Sequence, residues 1–200
     1  MSESFRRVEP SEVSDLLERA DFPWWIAGGW ALDLYLGEPI RPRSDIDVAV
    51  LRRDQSALQQ LLAGWDLRVA THERTLAAWD AGRQLDPPLH AIWAKPSGST
   101  DWVCEFLLNE ADDTNWIYRR DHRVRYPLAS LMTSESNQIK VLPPEIVLLY
   151  KSKSPRVTDE TDFHTTLPAL DADRAEWLRT ALATIDPGNP WIAALAETRG

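Results

Sequence analysis

"WWIAGGWALDLYLGEPIRPRSDIDVAVLRR" (residues 24–53) runs from an apolar block through a double glycine to a second apolar block that carries two aspartates. Residues 22–27, FPWWIA, read as a short strand ending at Gly28 and Gly29. Trp30 to Leu36 suits a helix packed on a sheet, and Gly37 fits the left-handed position that ends one. The prolines of EPIRPR make a loop, and Asp45 to Leu51 is the most strand-like stretch in the chain. Alternation along that strand places Asp45, Asp47 and Ala49 on one face and Ile46, Val48 and Val50 on the other.

Two carboxylates at i and i+2 on one face lie roughly 6–7 Å apart. Ionised acids that close repel each other, more so when partly buried, and a bound cation relieves them. Magnesium takes one or two protein carboxylates and completes its shell with water and phosphates. Upstream, Gly28 and Gly29 stand where a strand gives way to a helix, so backbone N–H groups and the positive end of the helix dipole face outward. Glycine also lets a phosphate chain approach the backbone closely. A third carboxylate is expected from a neighbouring strand. In DWVCEFLL (101–108) Asp101 and Glu105 share one face, with Val103 between them. Glu105, in mid-strand, is the candidate general base and third metal ligand; Asp101, near a turn, is the alternative. Taken singly, a paired-aspartate strand can be a solvated acidic face and a double glycine a plain turn. Their order, and the third acid, favour a site.

The 200 residues suffice for one sizeable core, or for one core plus a small appended unit. Hydrophobic content of 44% and charged content of 26% are those of a globular chain. The most apolar stretch, residues 24–36, is broken by two glycines and Asp33 and is no membrane span. The start, MSESFRRVEPSE, has no apolar core of a secretory signal. A single cysteine, Cys104, excludes an internal disulfide and suits a reducing cytoplasm. A net charge of −9 argues against an extended nucleic-acid surface and suits a cationic small substrate, with the chain a monomer or homodimer.

Along the chain, residues 11–20 read as a helix capped by Ser11, and residues 55–63 as one capped by Asp54. LRVAT is a candidate strand, and HAIWAK and DWVCEFLL form a β-hairpin across PSGST. NEADDTN reads as a loop, with short strands in HRVRYPL and NQIKVL. From Pro143-Pro144 the pattern turns helical, with Asp171 and Asn189 as N-caps. The expected organisation is an α/β domain over residues 1–141 and a helical domain over 142–200.

The runs WIAGGWALDLYLG (25–37) and RPRSDIDV (41–48) resemble the antibiotic nucleotidyltransferases of the polymerase-β-like superfamily, especially the aminoglycoside and lincosamide adenylyltransferases. WVCEF (102–106), WIYRRD (116–121) and PEIVLLYKSK (144–153) extend the likeness. The resemblance implies an α/β core with a mixed twisted sheet and a C-terminal helical unit. It implies Mg²⁺-dependent transfer of AMP from ATP, or another nucleoside monophosphate from its triphosphate, to a hydroxyl of an aminoglycoside-like molecule, releasing pyrophosphate. By position, Asp45 and Asp47 would hold the metal, Gly28 and Gly29 would touch the triphosphate, and Glu105 would be the third acid. Three departures stand out. Arg43 replaces a histidine two residues before the first aspartate and becomes a candidate nucleotide contact. Val103 stands where some relatives carry an aspartate, and no serine follows the first glycine.

Lys151 is a candidate triphosphate contact, although a lysine at a helix C-terminus is favoured in any case. Arg119, Arg120, Arg123 and Arg125 form the single basic cluster, which could embrace phosphates or an RNA backbone, or pair with Asp112, Asp113 or Asp121 on the surface, the pairing being favoured. Asp159, Glu160 and Asp162 could form an acidic patch or serve a helix N-terminus. Two other readings remain open: a toxin-type nucleotidyltransferase acting on tRNA or protein, and a nucleotide-binding relative without turnover.

Overall fold

The computed structural model describes residues 4–71, 73, 75–133, 135, 136 and 139–197. The chain runs α1 (Pro10–Leu16), β1 (Trp24–Ile26), α2 (Gly28–Leu36), β2 (Asp47–Leu51), α3 (Gln55–Leu61), β3 (Trp65–Ala70), β4 (Leu76–Ala78), β5 (Ala91–Pro96) and β6 (Cys104–Ala111). It continues through β7 (Asn115–Ile117), β8 (Arg125–Pro127), α4 (Leu128–Met132), β9 (Glu135–Ser136) and β10 (Ile139–Lys140). Four helices close it: α5 (Pro144–Lys151), α6 (Val157–Thr166), α7 (Ala172–Ile185) and α8 (Trp191–Glu197).

The main sheet has the order β1-β2-β6-β5-β3-β4, with β7 and β8 added beyond the end of β6. It is mixed: β2 and β6 are parallel and the other pairs antiparallel. Alternation along β2 explains its unbroken apolar character. Val48 and Val50 enter one core with Trp24, Ile26, Phe106 and Leu58. Ala49 and Leu51 enter a second core with Trp25, Ala31, Ile146 and Leu148. A strand covered on both faces reads as a continuous hydrophobic run.

The helix α5 is almost wholly buried, from Pro144 through Leu149, and it packs against α2, α6 and α7. Its approach is fixed by the backbone of Leu142, which donates to Ile26 O at 2.8 Å. The second core therefore draws residues from both sides of position 141. No helix among the described residues is long and apolar enough to cross a membrane.

Several local expectations shift. Pro10 opens α1, so the N-cap is Glu9, whose backbone N–H donates to Glu12 Oε1 at 3.1 Å, and Ser11 lies inside the helix. Asp54 makes no capping bond, being the last residue of a 3₁₀ turn over Arg52–Asp54. Strand β6 continues to Ala111, taking in the first three residues of the expected loop NEADDTN, and β7 begins at its last, Asn115. Gly37 does end α2 at φ +77°, and Asp171 caps α7 by accepting from Arg174 N–H.

Candidate active site

Strand β2 begins at Asp47, so Asp45 precedes it on the exposed loop rather than within it. Asp47 is placed by two backbone contacts: its carbonyl accepts from Ala27 N–H at 2.8 Å, and across the parallel pair it stands opposite Glu105. Glu105 in turn stands opposite Trp93 of β5 and accepts a hydrogen bond from its indole. Partners in register project from the same face of a sheet. The third acid expected from a neighbouring strand thus lies beside Asp47. Asp101 does not: it sits before β6 and is bonded to Ser4 and Thr100.

The electrostatics are those of crowded carboxylates. Burial, then the charges of Glu105 and Asp45, raise the Asp47 pKa to about 7, against the opposing pull of Lys151 and Arg156. Burial also raises Glu105; the Trp93 hydrogen bond opposes this and the Asp45 charge adds to it. Cys104, on the opposite face, belongs to the core, as its alternation with Glu105 requires.

Both glycines are filled in from the side. A Cβ built on Gly28, which has φ +58°, would lie 1.9 Å from Asp47 Oδ2, and one on Gly29 would lie 2.2 Å from Arg43 Nη1. Their missing side chains make room for Asp47 and for Arg43.

Arg43 is itself buried. It donates two bonds to Asp33 of α2, at 2.6 and 2.8 Å, and reaches Asp162 of α6 at 3.2 and 3.3 Å. Asp162, fully buried, also takes two bonds from Arg41 and one from Lys151 at 2.9 Å. Lys151 continues the chain of charges to Asp159, which also holds Arg156. Burial alone would raise Asp162, but the bonds from Arg41 and Lys151 and the charges of Lys151 and Arg43 hold it below the usual carboxylate range. Asp159 and Asp162 are therefore the anionic half of a buried network, whereas Glu160 stands apart and accepts from the Trp191 indole.

Beside Asp47 opens a cavity of about 320 Å³ between the sheet and the C-terminal end of α5. Gly28, Asp47, His90, Asn109, Arg119, Arg120, Lys151, Lys153 and Arg156 are among the residues that line it. The basic cluster divides: Arg119 and Arg120 enter the cavity, whereas Arg123 pairs with Asp121 and Arg125 with Asp112 outside it. Glu105, Asp45, Gly29 and Arg43 are not among the lining residues. His90 and Arg156 carried no sequence signal of their own, apart from the basic spacing of KSKSPR; they meet Tyr150, on α5, only through contacts between distant segments.

Do these residues suit a magnesium ion? Among the described residues no three His, Cys, Asp or Glu side chains converge as a ready metal site. Two aspartates are enough for an ion that keeps most of its water. The raised Asp47 pKa marks a half-buried, crowded carboxylate with no ion pair among the described residues, which is the chemistry a hard cation relieves. The donor set fits.

A mixed sheet with carboxylates at the mouth of a strand, next to a glycine turn, fits the nucleotidyltransferases that the sequence resembles. The family model of aminoglycoside-2''-adenylyltransferase matches residues 11–174, and the chain belongs to that family of antibiotic nucleotidyltransferase enzymes. Solved structures agree in fold. The antibiotic-resistance factor ANT(2'')-Ia, in solution, superposes with a TM-score of 0.56 at 18% identity, covering 94% of this chain and 92% of its own. Lincomycin-bound lincosamide adenylyltransferase LnuA gives 0.55 at 20% identity, covering 82% and 98%. ANT(2'')-Ia in complex with adenylyl-2''-tobramycin gives 0.50 at 18%, covering 95% and 96%. Comparison with curated protein sequences gives no significant match.

Proposed function

We propose that the protein transfers AMP from ATP to a hydroxyl of a small acceptor of the aminoglycoside kind and releases pyrophosphate. The observation that carries this reading is the register of Asp47 against Glu105, which sets a candidate base beside a candidate metal ligand. Asp45 and Asp47 would hold Mg²⁺, which would supply charge neutralisation at the phosphates. Glu105 accepts the proton of the acceptor hydroxyl as its oxygen bonds to the α-phosphorus. The bond from that phosphorus to the bridging oxygen breaks, and pyrophosphate leaves. The burial that raises the proton affinity of Glu105 suits it to accept that proton.

The exposed position of Asp45 and the net charge of −9 support a cationic acceptor arriving from the open side of the carboxylates. Residues from both sides of position 141 line the cavity, which supports a substrate cleft between an α/β unit and a helical unit. ATP as donor and the single buried Cys104 support a cytoplasmic setting.

Incubation with ATP, Mg²⁺ and a panel of aminoglycosides and lincosamides is expected to release pyrophosphate, and Asp47→Asn to abolish it. No release with any acceptor rejects the function. Equal release by Asp47→Asn rejects the mechanism.

A further inference from the structure

The cationic residues of the cavity fall into two groups. Lys151 and Arg156 are engaged by Asp159 and Asp162. Among the described residues, no carboxylate pairs with Arg119, Arg120 or Lys153, although the chain carries 31 acidic residues against 22 basic ones. The two arginines are nevertheless held in place. Arg120 Nη1 donates to Tyr150 O at 2.9 Å and lies 3.3 Å from Tyr118 Oη. The Arg119 guanidinium lies 5.6 Å from the centre of the Tyr150 ring. A backbone carbonyl and aromatic rings orient these cations without cancelling their charge. Burial and the neighbouring Arg120 charge both weigh against ionised Arg119, and an arriving anion would relieve that. The glycine turn offers less room than its sequence suggests, because Asp47 and Arg43 fill the places of its side chains.

We propose that Arg119 and Arg120, with Lys153, which line the same cavity as Gly28 and Asp47, bind the β- and γ-phosphates of the nucleotide and hold the pyrophosphate leaving group there. The assignment rests on adenylyl transfer as the reaction, but it concerns a binding site that can be tested without an acceptor. Arginine suits the role because its planar fork grips phosphate oxygens in pairs.

The test uses the full chain and inorganic pyrophosphate as the probe, followed by titration calorimetry, with AMP as a second probe. Arg119→Gln and Arg120→Gln should each weaken pyrophosphate binding about tenfold, the loss of one charge-assisted hydrogen bond. AMP binding should change by less than about twofold, and Arg119→Lys should recover part of the loss. Arg125→Gln, outside the cavity, should leave both probes unaffected. Absent pyrophosphate binding by the wild type overturns the assignment. So does unchanged binding in both Gln variants, or a parallel loss of AMP affinity and thermal stability that Arg119→Lys does not restore. Arginine-dependent pyrophosphate binding in a protein that transfers to no acceptor upholds the anion site and rejects the transferase reading alone.

Discussion

The Asp47 carboxylate occupies the space that a side chain on Gly28 would need: a Cβ built there falls 1.9 Å from Oδ2. The φ of +58° at Gly28 adds a second demand for glycine. Gly28→Ala should therefore cost about 1–3 kcal/mol in stability. It should also lower transfer by more than about tenfold, because Asp47 must move. Gly37→Ala is the control. Its φ of +77° is strained as well, but nothing lies within 4 Å, so thermal unfolding should register a loss while pyrophosphate release stays near wild type. Equal activity of the two variants would show that the Asp47 contact is immaterial.

Glu105→Gln keeps the shape of the side chain beside Asp47 and can still accept from Trp93. As the proposed base, its loss should lower kcat by about 10²–10⁴-fold with little change in the KM for ATP. Steady-state kinetics at saturating acceptor decide this. A change confined to KM would remove Glu105 from the proton transfer. Asp101→Asn, bonded to Ser4 and Thr100 away from the site, should behave as wild type.

Arg43, expected from sequence as a nucleotide contact, is proposed here as a structural clamp, since both of its bonding directions end on buried aspartates. Arg43→Gln removes the ion pair of buried Asp33, while Asp162 keeps Arg41 and Lys151, and should cost about 3–5 kcal/mol. The ATP KM of the protein that remains folded should stay within about twofold. Chemical denaturation and kinetics on the same preparation separate the two effects, and a large KM rise at unchanged stability would return Arg43 to the nucleotide site.

Acid should loosen the same network. Asp159 and Asp162 are held below the usual carboxylate range, chiefly by bonds from Arg156 or Arg41 and from Lys151 that outweigh the cost of burial. The native state therefore binds fewer protons than the unfolded chain as pH falls. The network's contribution is complete above about pH 4, where free aspartates are ionised, and is lost as pH drops through the lowered values. The melting temperature followed from pH 6 to pH 2.5 should fall steeply below about pH 4. Asp162→Asn should start lower and fall less steeply; an identical slope would mean that the network does not govern acid stability.

Sequence alone was enough to read the strand–glycine–helix–strand unit, the β5–β6 hairpin and the acidic positions from which the candidate site is drawn. These follow from short-range periodicity and from residue types that are costly anywhere but at a site. The weight given to Arg123 and Arg125 as surface pairs was also legible, because their acids lie within two and thirteen residues in the chain.

Other features depended on contacts between distant segments. Arg43 reads as a loop cation until Asp33 and Asp162, 10 and 119 residues away, close around it. Arg119 and Arg120 read as surface charge until Tyr150, on α5, turns them into the cavity. Glu105 could be chosen over Asp101 with assurance only once the register set it opposite Asp47. Periodicity says which face a side chain occupies, because that depends on the backbone repeat. Which charges neutralise one another depends on packing across the chain, and there the tertiary structure decided what the sequence left open.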